Sequence, residues 1–446
     1  MATAATNPRY AQQAASPLLN KPWYRYYVLG MLAICYVANV IDRSQILAAS
    51  LQAIKREFGA TDFQLGMLTG VPFALFYSTM GIPIAVLADR WSRRNVLALA
   101  VAAWSGMTAL CGLSISFFML FVTRVGTAVG EAGGSPPSHS LISDYFPRLK
   151  RGTAFSMFAL AVPIGTSLGA IIGGWGNQHL GWRATFMLVG FPGILLAVLV
   201  RFTVREPPHG YAEHVSRGLV TAQATGILEV LRFLWRRASF RHMSLATALH
   251  SVVWYASGAF NNAFLQRSHQ MTAFQAGYWI SVFAAIGGIG TFLGGYLADR
   301  LSTRTRDRRW YLWVPGIATL VSVPFQFLSY LSPNLSSALP AFAVMMCMAA
   351  VFFGPSFAMT QALAPLRMRS VATSVLLFVQ TLIGQGIGPS VTGFISDRLE
   401  PNLGSSALRY SLVFVGLVNV WAAAHYFWGA RMLRQDLEAT ENLAAA

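Results

Sequence analysis

Four ionisable residues stand in stretches otherwise apolar enough to sit in hydrocarbon. They are Asp42 and Arg43 in ANVIDRSQILAAS, and Arg124 and Glu131 in FFMLFVTRVGTAVGEAGG. A charged side chain at the bilayer centre costs about 2.5–3.5 kcal/mol on the insertion scale, so such groups face an interior and pair with one another. Arg124 and Glu131 are seven residues apart, which puts them on one helix face about 10 Å apart in depth. An ion-pair lock between two helices is one reading, yet desolvation commonly cancels the attraction of a buried pair. Proton exchange is the other: a carboxylate that meets and leaves a guanidinium changes its proton affinity. Arginine stays charged. Asp42 and Glu131 are therefore the candidate proton carriers, with Arg124 and Arg43 as switches or as partners of a substrate anion. Gly133, Gly134, Pro136 and Pro137 follow Glu131 directly and predict a softened or kinked helix there. Such a break is tolerated where the backbone lines a cavity; a kink made for packing accounts for the same residues.

The elements that must carry these groups are legible from composition. Hydrophobic residues make up 55% of the 446-residue chain and charged residues 11%, against about 25% charged in ordinary soluble domains. A span needs roughly 20 apolar residues to cross the hydrocarbon. Such stretches fall near 26–50, 62–88, 95–115, 117–144, 152–176, 183–204, 241–266, 273–298, 311–331, 338–363, 371–396 and 406–430. The expected fold is an all-α membrane protein of twelve transmembrane helices.

The 33 lysines and arginines against 16 acids point to topology rather than nucleic acid. With the N-terminus inside, 25 of them fall on inner segments and 6 on outer ones, Arg43 and Arg124 lying within spans. That asymmetry predicts cytoplasmic termini. Residues 1–21 are polar and show no signal-peptide core. The three cysteines lie in apolar stretches and fit no metal site, and the eight histidines are scattered. No GxxxxGK[ST] occurs, which argues against ATP-driven work. No nucleophile–base set suggests an enzyme.

The chain repeats itself. GIPIAVLADRWSRR ends the second stretch and GGYLADRLSTR the eighth; RGTAFS opens the fifth and RSVATS the eleventh; GSPPS and GPS mark the fourth and tenth. Two six-span halves in parallel repeat are the plan of a rocking transporter, with a midplane substrate site. The interval between them includes GILEVLRFLWRRASF, whose Leu, Phe and Trp alternate with Arg at helical spacing. It is expected to lie along the inner membrane surface, as a linker or a regulatory element. The parts are thus a tail at 1–24, a six-helix bundle at 25–205, a linker at 206–240, a second bundle at 241–433 and a tail at 434–446.

The LADRxSxR motif resembles the loop motif of the major facilitator superfamily. The resemblance implies a two-bundle pseudo-repeat fold and a charge clamp at Asp89, Arg90, Arg93 and Arg94, echoed by Asp299, Arg300 and Arg304. Ala85, Ser92 and Ser302 stand where that family usually has glycine. NVIDRSQILAAS, LTGVPFALFYSTMGIPIAVLADRWSRRN, RVGTAVGEAGGSPPSHSLISDYFP and LVRFTVREPPHG resemble the bacterial Spinster-like branch. This implies proton-coupled transport of lysolipid-like amphiphiles, with no cofactor beyond the proton gradient and a monomer among membrane lipids. The organic anion–cation symporters share a similar Asp-Arg and Arg…Gly-Glu-Ala, so a proton symporter of small organic acids is the alternative. By the repeat offset Glu131 corresponds to about Val351, and the second half has no matching charges. Arg43 and Arg124 are the expected headgroup partners. Trp254, Phe260, Asn261 and Asn262, with Phe264, are the expected apolar and amide wall.

Overall fold

A computed structural model of the chain describes residues 18–19, 21–208, 211, 227–365 and 368–445. Among the described residues the helices group into twelve spans. The first is Pro22–Val40, continued by a π-turn Ile41–Gln45 and by Ile46–Phe58. The second is Asp62–Met67 with Val71–Arg90, the third Arg93–Gly112, and the fourth Phe117–Glu131 with Ser135–Tyr145. Arg148–Ala159 with Ala161–His179 is the fifth and Gly181–Thr203 the sixth. A short helix, Ile227–Trp235, precedes the seventh span, Ala238–His269. Ala273–Thr305, Trp310–Leu331 and the broken pair Leu335–Ala350 and Phe353–Ala362 are the eighth to tenth. The eleventh joins Arg369–Val379, a π-segment Gln380–Gln385 and Gly386–Leu403, and the twelfth joins Ala407–Gly416 and Val418–Ala445.

The chain divides into two compact units, one of Met1–Ala53 and Phe76–Thr221, the other of Ile54–Leu75 and Ala222–Ala446. The first unit is held at one end by polar bonds at the mouth of its helices. Tyr24 Oη donates to Thr203 O at 2.7 Å and accepts from Arg205 N at 2.9 Å, tying the start of the first span to the end of the sixth. Deeper, a stripe of glycines lets the fifth span close on the first. A Cβ on Gly165 would meet Val40 Cβ at 2.8 Å, one on Gly169 would meet Gln45 Cβ at 2.7 Å, and one on Gly173 would meet Ala49 Cβ at 3.1 Å. Small residues at every fourth position allow this approach in a lipid setting, where no hydrophobic drive pulls helices together.

The second unit differs from the half read off the repeat, because Ile54–Leu75 belongs to it. Gly66 and Gly70 make this possible: a Cβ on either would lie 2.4 Å from Pro389 O or 2.3 Å from Ser390 Oγ. The linker helix packs on this unit through Val230 and Leu234, both within its core, and leaves Leu228 and Trp235 exposed. Of the expected linker, 209–210 and 212–226 lie outside the described residues. The segment expected as a C-terminal tail continues the twelfth helix through Ala445, because Leu433 and Leu437 bury in the same core.

Candidate functional site

The π-turn at Ile41–Gln45 is what sets the first pair of charges. Its closing bond runs from Ile46 N to Ile41 O, one residue longer than an α-turn, which turns neighbouring carbonyls out of the helix. Such turns recur at functional sites. Arg124 uses the freed carbonyls: Nη1 donates to Asp42 O at 3.1 Å and Nη2 to Arg43 O at 2.6 Å. The expected geometry was side chain to side chain; here the guanidinium grips backbone as well. Arg43, partly buried, lies over the Tyr77 ring at 4.2 Å.

The fourth span breaks where the Gly-Gly-Ser-Pro-Pro run predicted. Its first helix ends at Glu131 and the next begins at Ser135, with a proline among its first residues, where the missing N–H costs nothing. Gly130 lets this break press on the third span: a Cβ there would meet Trp104 N at 2.6 Å. Asp42, Arg124 and Glu131 are each 1% exposed. Asp42 lies within electrostatic reach of Glu131 and Arg124, and Glu131 within reach of Arg43 and Arg124. Both Glu131 carboxyl oxygens, and Asp42 Oδ1, are buried with no hydrogen-bond partner among the described residues. Trp104 Nε1 shares that condition, and Thr108 lies within hydrogen-bonding reach of the Asp42 carboxyl. The sequence reading missed these two third-span residues, which carry no charge to betray them. Buried polar groups are rarely left unbonded, and the exceptions call for a reason such as chemistry.

The loop-motif residues are placed less uniformly. Arg93 and Arg94 are buried at 1% and 9% exposed. Arg93 pairs with Asp144 and, through Nε at 2.8 Å, with Glu206; Nη2 donates to Pro207 O at 2.6 Å. Glu206 also accepts from Ser92 Oγ at 2.8 Å and from Arg94 N at 2.8 Å. Glu206 and Asp144 were not singled out from sequence; the pattern REPP beside a basic loop was the available signal. The Asp89 side chain lies outside the described residues, and Arg90 is exposed. In the second unit Asp299 accepts from Tyr311 Oη, and Arg300 Nη1 donates to Tyr296 Oη at 2.6 Å. Arg304 joins Asp299 and Arg300 along a shallow surface groove.

The expected aromatic wall needs correction. Phe260 and Phe264 are 0% exposed, and Phe264 stacks edge-on with Tyr330 at 5.1 Å. Asn261 Oδ1 accepts from Tyr330 Oη at 2.7 Å and Asn262 Oδ1 from Gln266 Nε2 at 2.6 Å. These residues are helix-packing contacts inside the second unit, since amides there satisfy one another where water is absent. Trp254 alone of the five keeps partial exposure, edge-on to Phe353 at 5.7 Å.

The profile of the Major Facilitator Superfamily matches residues 32–389 and, again, 243–440. The chain belongs to that superfamily. It is 31% identical over 423 residues to an MFS-type efflux pump of Mycolicibacterium smegmatis, covering 93% of this chain and 95% of the pump. It is 26% identical to a D-galactonate transporter of Escherichia coli over 84% of this chain and 89% of that protein. A crystal structure of a bacterial homologue of the human lysosomal transporter Spinster, inward-facing and unoccupied, superposes with a TM-score of 0.85. That match is 32% identical and covers 94% of this chain and 99% of the other. This chain is thus a multi-pass membrane transporter rather than an enzyme, and it resembles the Spinster-like branch.

Proposed function

We propose that this chain is a proton-coupled secondary transporter working by alternating access, with lysolipid-like amphiphiles of anionic or zwitterionic head as substrates. The observation that carries the proton reading is Glu131, whose two carboxyl oxygens are buried at a helix break with no hydrogen-bond partner among the described residues. An ionised carboxylate in such a place is costly, and taking up a proton removes that cost. Arg124 is the switch. Its grip on the π-turn carbonyls gives the guanidinium a second set of partners when a carboxyl is neutral. No cofactor is needed, since the proton gradient supplies the work. The charge asymmetry supports cytoplasmic termini, the resemblance to the bacterial Spinster-like branch suggests a bacterial inner membrane, and a monomer suffices.

The test is uptake into proteoliposomes. Glu131→Gln should abolish pH-gradient-driven accumulation while leaving exchange in part. Unchanged gradient-driven accumulation would remove Glu131 from the mechanism. The sequence motifs that resemble the Spinster-like branch suggest the amphiphile, whereas the likeness to a D-galactonate transporter supports a small organic acid as second reading. Chain length separates them. Each added CH₂ buried in the site contributes about 0.8 kcal/mol, about fourfold in affinity. Affinity for a lysolipid series should climb with chain length and then level off. A flat response, with saturable uptake of a short acid abolished by Arg124→Ala, decides for the organic-acid symporter.

A further inference from the structure

The seventh and twelfth spans meet at a polar pair that the transport reading does not use. His242 lies in the first turns of the seventh span and His425 in the twelfth. Their Nδ1 atoms are 2.8 Å apart and the rings stack with centroids 5.1 Å apart. Gly429 permits this closeness, for a Cβ there would lie 3.2 Å from His242 Cβ. In a neutral pair one ring donates its Nδ1–H and the other accepts, so the accepting ring carries its proton on Nε2. Among the described residues no hydrogen bond engages either Nε2.

The surroundings are those of a membrane boundary. Trp428 stands edge-on to both rings, at 6.0 Å from His242 and 5.0 Å from His425, and Trp421 is 6.0 Å from His425. Both tryptophans are exposed, at 44% and 54%, and an exposed aromatic face in a spanning protein meets lipid at headgroup level. Arg241, adjacent to His242 in the chain, is exposed and lies over the Trp235 ring at 5.9 Å. Among the described residues Asp436, bonded to the first turn of the seventh span, is already occupied, accepting from Ser239 N at 2.8 Å and Ser239 Oγ at 2.6 Å.

We propose that His242, His425 and Arg241 form a headgroup site for an anionic phospholipid of the leaflet on this basic side of the membrane. A phosphodiester oxygen accepts from the free Nε2–H and from the Arg241 guanidinium, while the acyl chains lie along Trp421 and Trp428. A zwitterionic lipid offers the same phosphate but brings an amine that Arg241 repels. This site stands apart from the carboxyl pair of the first unit, so it does not depend on the transport reading.

The experiment is native mass spectrometry of the purified full-length protein with phosphatidylglycerol or phosphatidylcholine at equal concentration. Phosphatidylglycerol should be retained preferentially. Arg241→Ala should lower its retention about fivefold, the loss expected for one cationic contact near an anionic surface, with phosphatidylcholine unaffected, whereas His242→Gln, which disturbs the neutral phosphate donor, should lower retention of both lipids. If His242→Gln fails to melt cooperatively, Arg241→Ala decides, because that side chain is exposed. Equal retention of the two lipids by the unsubstituted protein overturns the proposal, as does undiminished phosphatidylglycerol retention by Arg241→Ala. Displacement of the lipid by soluble glycerol 3-phosphate at matching concentration would mark a free-phosphate site and overturns the lipid assignment.

Discussion

A buried arginine bonded to two adjacent carbonyls is a geometric demand as well as a charge. Arg124 meets it with two N–H groups aimed at Asp42 O and Arg43 O. Lysine carries the same charge as a compact point and lacks the planar fork. Arg124→Lys should therefore loosen the π-turn, losing about 1.5–3 kcal/mol for one charged hydrogen bond. A lowered melting temperature together with lost gradient-driven uptake is the expected result; an unchanged melting temperature would mean that the carbonyl contacts contribute nothing. Glu131 is the converse case. Its oxygens make no hydrogen bond among the described residues, so Glu131→Gln should leave stability nearly unchanged while removing coupling. The two substitutions separate holding the site from using it.

At the scale of elements, the first unit depends on Glu206 as much as on any apolar contact. This carboxylate follows the sixth span and bonds to Ser92, Arg93 and the Arg94 backbone at the start of the third. Arg93 is 1% exposed, so removing its partner leaves a buried, less compensated cation. Glu206→Ala should cost about 3–5 kcal/mol, read as a fall in the melting temperature of the purified protein. Full stability in that variant would show the bond network to be incidental. Glycine contacts set the other limit. At Gly66 a Cβ would press on the Pro389 carbonyl at 2.4 Å, and backbone yields less readily than a side chain. Gly66→Ala should destabilise by about 1–3 kcal/mol, whereas Gly30→Ala, with nothing within 4 Å, should not; equal effects at both sites would refute the packing argument.

For the molecule as a whole, the placement of Ile54–Leu75 with the second unit turns on a polar cluster. Asp62, 1% exposed, pairs with Arg267 through bonds of 2.6 and 2.7 Å and with Lys55 at 3.0 Å. Asp397 accepts from the Asp62 and Phe63 backbone N–H groups at 2.7 and 2.8 Å, capping the second span from the eleventh. A second cluster lies in the loop after the eighth span. There the Arg309 guanidinium, hydrogen-bonded to Asp307, holds that carboxyl down at about 2 against an ordinary 3.8; burial opposes it and Arg434 reinforces it. Because the folded-state value is the lower one, this contribution to stability is complete above 3.8 and disappears as the pH falls through about 2. The melting-temperature gap between the unsubstituted protein and Asp307→Asn should be present at neutral pH and close across that window. A gap that persists to the acid end would assign the effect to something other than the carboxylate charge. The gap should be modest, since Arg434 is 59% exposed and solvent screens it.

The spans, the repeat and the helix break after Glu131 were legible in the sequence because each has a local physical signature. Hydrocarbon thickness demands runs of apolar residues, internal duplication repeats LADR, and Gly-Gly-Ser-Pro-Pro disrupts a helix wherever it sits. Asp42, Arg43, Arg124 and Glu131 stood out for the same reason, as charges where charge is costly. The tertiary structure decided what those charges touch. Nothing local says that Ile41–Gln45 winds as a π-turn or that Arg124 reaches its carbonyls, since that depends on how closely Gly165, Gly169 and Gly173 bring the fifth span to the first. Phe260 and Phe264 read as a wall because aromatic residues look alike in sequence whether they line a surface or fill a core, and only their burial tells the two apart. Glu206 and Asp144 are ordinary acids until the fold sets them on one arginine from sites 113 and 51 residues away. Cost per residue is a local property and can be read from the chain; choice of partner is a property of distance in space, and folding alone assigns it.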